Sequence, residues 1–315
     1  MKIKPNYPVT NKISGPRANF KYGYRFLMIL SFLILLSWPL QNDPILAQSE
    51  QTLIYLPLIL RQEAVSAQNC SPGAEEWLCL LNQYRDAAGL AAVSHDAGMS
   101  DALNLHTHYM LLNAKQVNFH KEYPDKPGYT ILGEIAGGQS NMAGKQGTTL
   151  TQQESMDAWI GYPSHRYHML HPDLVTSGFA LSCDLANCFS GLNIQGNLPP
   201  SYQISSANVI YPGDNQTNVP AEIFPISWGF YMPWIGEEGD AQEAVLLSGK
   251  LFDQTNQPIA VMLSEPNHTD GNWEYRNQVV MTPIQPLLRG QTYRVEMSVR
   301  FLGQVFNKTW HFSTR

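Results

Sequence analysis

The sequence predicts an α+β protein in which a mixed helix-and-sheet domain over residues 70–199 is followed by an all-β sandwich over residues 200–315. Three observations carry this expectation. Apolar residues recur at helical spacing between Glu75 and Leu170. Beyond Pro199-Pro200 no helical period appears, and short alternating runs replace it. The chain has 315 residues and 43% hydrophobic content, enough for two cores at a prior of roughly 150 residues per domain. No heptad or longer repeat is present, which excludes fibrous and solenoid classes.

Residues 1–47 carry six bases, Lys2, Lys4, Lys12, Arg17, Lys21 and Arg25, against one acid, Asp43. That is a net of +5, so from a total of −6 the remainder of the chain carries −11. An acidic body repels phosphate backbones, and a nucleic-acid partner is excluded on this ground. The apolar run Phe26 to Trp38 is shorter than the ~20 residues of a membrane-spanning helix. It reads as a secretory signal peptide, residues 1–47, cleaved after Ala47, and no transmembrane partner is implied. The alternative is an uncleaved signal acting as a membrane anchor. Residues 48–69 follow as an extended linker segment, whose stretch Leu53 to Leu60 is broken by Pro57.

Export places the four cysteines in an oxidising compartment, where disulfides are favoured over thiol chemistry. Cys183 and Cys188 pair across a short loop, which leaves Cys70 for Cys79. That second bond requires the helix carrying Cys79 to begin no earlier than about Ala74, because bridged Cα atoms lie within ~7 Å. A zinc half-site is the rival reading, and it lacks a second half.

The elements follow in order. Trp77, Leu81, Tyr84 and Ala88 form one helical stripe ended by Gly89. A second helix, Gly98 to Asn113, places Met99, Ala102, Leu103, His106 and Met110 on one face, so His106 points to the core. Residues 114–150, with Pro124, Pro127 and the GEIAGGQSN stretch, read as a long ordered loop carrying side-chain chemistry. Thr151 and Glu154 make a capping box for a third helix, and a short helix from Pro163 to Leu170 follows. Thr176 to Cys183 and Cys188 to Gln195 read as a strand pair. In the tail, strands are expected at 204–211, 244–249, 259–264, 278–282, 291–301 and 304–313. The aromatic run Trp228 to Trp234 fills the space between sheets, with an exposed ligand loop as its alternative.

Several pieces of the first domain, taken in order, resemble the CAP superfamily of cysteine-rich secretory proteins, antigen 5 and plant pathogenesis-related proteins. They are LLNQYRDAAGL (80–90), NLHTHYM (104–110), His120, GEIA (133–136) and DAWIGYPSHRYHMLHPDLVTSGFA (157–180). The tail resembles bacterial immunoglobulin-like modules through its strand pattern and its closing GQTYRVEM and TWHFST stretches. The first resemblance implies a CAP-type α-β-α sandwich of the bacterial type, with a cleft lined by two histidines and acidic residues. His120 is similar to the first histidine of that cleft, Glu134 to its GEN-type glutamate, and His165 to the histidine of its S-x-G-H-R segment. A second family glutamate is replaced by Tyr162. Glu122 is a candidate for the missing carboxylate, since alternate residues of an extended strand share a face.

Two imidazoles with one or two carboxylates suit zinc or another divalent metal held by His120 and His165, or a general base, Glu134, beside an orienting acid. The alternative is that both histidines only tie loops to the fold. His108, His168 and His171 read as surface or loop residues. No GxSxG, HExxH, P-loop or CxxC is present, and Ser164 is assigned to helix capping rather than nucleophilic work. The expectation is therefore a secreted, non-enzymatic binding module for a lipid, sterol, peptide or cell-wall ligand. A metal- or glutamate-dependent hydrolase and an adhesion or spacer protein with a vestigial cleft are the alternatives.

Overall fold

The computed structural model describes residues 75–116, 118–200, 203, 205–222, 224–232, 244–264 and 277–315. The expected signal peptide, the 48–69 segment, Cys70 with its pairing to Cys79, and Pro233 and Trp234 lie outside the described residues.

Helix α1, Glu76–Ala87, buries Trp77, Leu80, Leu81, Tyr84 and Arg85, and the chain leaves it through Gly89 at φ 74°, a left-handed conformation that suits glycine. Strand β1, Ser94–His95, precedes α2, Ala97–Leu112, which starts where the Asp96 carboxylate accepts the Met99 N–H. A cap of this kind stabilises a helix by about 1 kcal/mol. Residues 114–150, expected as a loop, instead contain a 3-10 turn, Ala114–Gln116, helix α3, Ile131–Gly138, and strand β2, Ser140–Gln146. Glycine-rich sequence hid α3, and packing explains the glycines. A Cβ on Gly133 would lie 2.3 Å from the Glu122 carboxylate, and one on Gly137 would lie 2.4 Å from the His106 ring. The capping box of Thr151 and Glu154 is present and opens α4, Gln152–Gly161. Helix α5, Pro163–Met169, follows with Pro163 in its first turn. Its N-cap is Tyr162 with no side-chain cap bond, so Ser164 does not cap it.

Strands β3, Thr176–Ser177, β4, Phe179–Cys183, and β5, Asn187–Asn193, come next. A three-stranded sheet runs β2-β5-β4, and the Cys183–Cys188 disulfide closes the β4–β5 hairpin at directly opposed positions. Alternation on these strands sorts the layers. Phe189 joins Leu103, Met110 and Ala136 on the α2 and α3 side, while Ser190 bonds Ser155 of α4 and Leu192 joins the core that holds Trp159. Helices therefore cover both faces of the sheet.

The tail forms two sheets. Strands β6, Ala207–Tyr211, β7, Gln216–Val219, β8, Ile226–Tyr231, β9, Val245–Phe252, and β10, Pro258–Ile259, are followed by β11, Val261–Ser264, β12, Gln278–Pro283, β13, Thr292–Phe301, and β14, Gln304–Thr314. One sheet is ordered β10-β9-β13-β14-β7 and the other β11-β12-β8-β6. Their inner faces meet through Trp228 and Trp310, with ring centroids 6.4 Å apart, and Phe230 and Phe301, 4.9 Å apart. Strand β8 is buried along its whole length, but the aromatic run is shared between two faces: Trp228 and Phe230 pack between the sheets, while Tyr231 faces the other way and stacks on Tyr167 of α5 at 4.5 Å.

Packing is continuous across Pro199-Pro200. One apolar cluster runs from Trp77, Leu81 and Trp159 to Tyr211, Trp228 and Trp310. Arg166 of α5 is fully buried and donates to the carbonyls of Ile160 and Pro225 and to the Ser227 hydroxyl. Its guanidinium lies 4.9 Å from the ring centroids of both Tyr211 and Phe224. Tyr167 donates to the Phe230 carbonyl, and Tyr231 donates to the Tyr167 carbonyl.

Candidate functional site

His120 and His165 are held by the chain between α3 and β2. His120, in an exposed turn, places Nδ1 3.1 Å from the Gly137 carbonyl at the end of α3. Asn141, two residues into β2, grips His165 at two points. Its amide donates to the His165 carbonyl at 3.1 Å, and its Oδ1 lies 3.1 Å from His165 Nδ1. A carbonyl and an amide oxygen both accept, so each imidazole carries a hydrogen on Nδ1. Burial, and after it the nearby His120 and His168, lower His165 from 6.5 to about 4, which keeps the ring neutral at pH 7.

Glu134 lies on α3 one turn before Gly137 and accepts from the Tyr129 hydroxyl at 3.1 Å. The Tyr162 ring stands 5.4 Å from that of His165. Ile131, Leu132 and Ile135 of the same short helix α3 are 66%, 59% and 54% exposed, so apolar surface flanks Glu134.

Glu122 is turned the other way. It is fully buried, its Oε1 lies 3.0 Å from His106 Nδ1, and its Oε2 accepts the Thr130 N–H. His120 occupies a turn and not a strand, so the alternation argument for a shared face fails. His106, as expected, is in the core, but as the partner of Glu122. Its Nε2 also lies 3.1 Å from the Phe119 carbonyl. This pair ties α2 to the segment carrying His120 and to the start of α3. His171 lies in a loop, as expected, but is 4% exposed and so not at the surface; burial lowers it to about 4, and its Nδ1 accepts the Asp173 N–H. Asn141, Tyr129 and the Gly137 carbonyl were missed in the sequence, although all but Tyr129 fall in the GEIAGGQSN stretch singled out for chemistry.

Among the described residues, no group of three or more His, Cys, Asp or Glu side chains could hold a metal ion. Zinc takes three or four protein donors, and two imidazoles supply two of them. Among the same residues, no helix is long and apolar enough to cross a membrane.

This arrangement, helices on both faces of a small sheet, has a counterpart among known families. Residues 78–193 match the model of the cysteine-rich secretory protein family, CAP, and that segment is similar to it. A search of curated proteins found no match to the chain.

Proposed function

We propose that the protein is a secreted binding module that takes an amphipathic ligand, a lipid or an apolar peptide, at His120, Glu134, Tyr162 and His165. The observation that carries this reading is the exposed apolar face of α3, Ile131, Leu132 and Ile135, on the helix that also bears Glu134 and the His120 anchor. The polar end of the ligand bonds to the two imidazoles and the carboxylate, and its apolar part lies over α3. Similarity of residues 78–193 to a family of secreted proteins supports the extracellular setting. Hydrolysis at these residues is disfavoured, since an imidazole held down to about 4 is a weak base at neutral pH.

Calorimetric titration of the full chain with lysophosphatidylcholine below its micellar concentration tests the reading. Saturable binding is expected, weakened at least tenfold in the Leu132→Ser/Ile135→Ser double variant and in His165→Ala. Absence of binding by the unaltered chain, or equal affinity in both variants, refutes it.

A further inference from the structure

We infer that Glu75, His95 and Ser100 form a second site, sharing no residue with the first, in which Ser100 is the nucleophile of an acyl-transfer reaction on small, exposed esters. The geometry is that of a nucleophile, its base and an orienting acid. Ser100 Oγ lies 2.9 Å from His95 Nε2, and His95 Nδ1 lies 3.1 Å from Glu75 Oε2. Three separate elements place the groups. Glu75 is the N-cap residue of α1, His95 ends β1, and Ser100 sits one turn into α2.

The Glu75 carboxylate accepts from His95 Nδ1–H, so in the neutral ring Nε2 is the acceptor and takes the Ser100 hydroxyl hydrogen. The Phe179 N–H donates to Ser100 Oγ at 3.0 Å, and the hydroxyl hydrogen stays free to turn toward Nε2. Close approach of β4 makes this possible. A Cβ on Gly178 would lie 2.5 Å from the Ser100 nitrogen, so only glycine lets the following amide reach Oγ. The His95 ring is steadied by the edge of Trp77, 5.5 Å away at 84°, and Trp77 is itself stacked on Phe179.

A surface hydrogen-bond network that only steadies two helix starts needs fewer of these constraints. The side chains of His95 and Glu75 are 30% and 45% exposed, so substrate and water reach the base directly. A site this exposed takes short acyl groups such as acetyl.

In the reaction, Oγ bonds to the ester carbonyl carbon as its hydrogen passes to Nε2. The tetrahedral species expels the alcohol, which leaves with that proton. Water, deprotonated by His95, then attacks the acyl-serine; the acid departs and Oγ recovers its hydrogen. The net change is ester plus water to acid plus alcohol. Glu75 is a positioning residue that holds Nδ1–H throughout.

The test uses the full chain, 4-nitrophenyl acetate and diisopropyl fluorophosphate. Expected are ester turnover above buffer and a single diisopropylphosphoryl adduct at Ser100, fluoride being lost. Ser100→Ala and His95→Gln should each lower kcat/KM by about 100-fold, with near-native circular dichroism. Glu75→Gln should lower kcat while leaving KM in place, and Glu75→Asp should restore part of it. His95→Gln guards against a folding defect in Ser100→Ala, since it leaves the Phe179 N–H satisfied. The assignment is overturned by turnover that survives either substitution in folded protein, or by the absence of an adduct at Ser100.

Discussion

Arg166 offers the sharpest probe of how the fold is held together, because one side chain joins α5 to β8 and its approach. Replacing it by Met keeps the apolar stem and removes the guanidinium. The carbonyls of Ile160 and Pro225 and the Ser227 hydroxyl then lose their donor. Each lost bond to a charged group costs about 1.5 kcal/mol, and the contacts with Tyr211 and Phe224 add about 1 kcal/mol apiece. Relief of the desolvation of a buried cation offsets part of this, leaving a net loss of about 3 kcal/mol. For a cooperative unit of this size that corresponds to a fall of about 6 to 12 °C in melting temperature. Arg166→Lys should fall nearly as far, since an ammonium cannot span three acceptors set in different directions. Differential scanning calorimetry reads the result, and a single transition is expected because the apolar cluster is continuous. For the same reason a fragment ending near Leu198, which keeps Arg166 but lacks its β partners, should aggregate or bind hydrophobic dyes. A change in melting temperature below about 2 °C for Arg166→Met, or two separate transitions in the unaltered chain, refutes the argument.

Two further outcomes are expected. His171 is lowered to about 4 in the folded chain from an ordinary value of 6.5, so the unfolded chain binds the extra proton between these limits. Stability that is complete above pH 6.5 should therefore decline as pH falls toward 4. Urea midpoints across that range should show a shallower decline in His171→Asn; an identical slope would remove His171 as the cause. Gly137→Ala exchanges a poor helix former for the best one, yet it drives a methyl to 2.4 Å from the His106 ring. A loss of about 2 kcal/mol is expected in a denaturant melt, and a gain would mean that the ring gives way freely.

Periodicity made much of the fold legible. The stripes of α1 and α2, the capping box of α4, the proline that opens α5 and most alternating strands of the tail are local patterns found where the spacing placed them. By contrast, β7 and β8 were not expected as strands, and the expected 259–264 strand divides into β10 and β11 in different sheets. The Cys183–Cys188 bond was legible too, because five residues of separation leave only a hairpin. Helix α3 was not, since its glycines are set by contacts with Glu122 and His106 that lie distant in sequence. The same contacts decided the candidate site. His120, Glu134 and His165 could be picked out by residue type and order, but the direction of Glu122 depended on a buried partner 16 residues earlier.

By itself, then, the sequence determined most of the helices and strands and singled out some of the side chains with the chemistry to matter. Tertiary structure decided which of them meet. Glu75, His95 and Ser100 carry no recognisable motif, and two helix starts and a short strand bring them together. The two halves read as separable because a pair of prolines interrupts the chain, whereas Arg166 and the shared aromatic core join them across it. Local propensity acts over a few residues along the backbone; the burial of Arg166, the pairing of His106 with Glu122 and the approach of Gly178 to Ser100 depend on surfaces that exist only once the elements have packed.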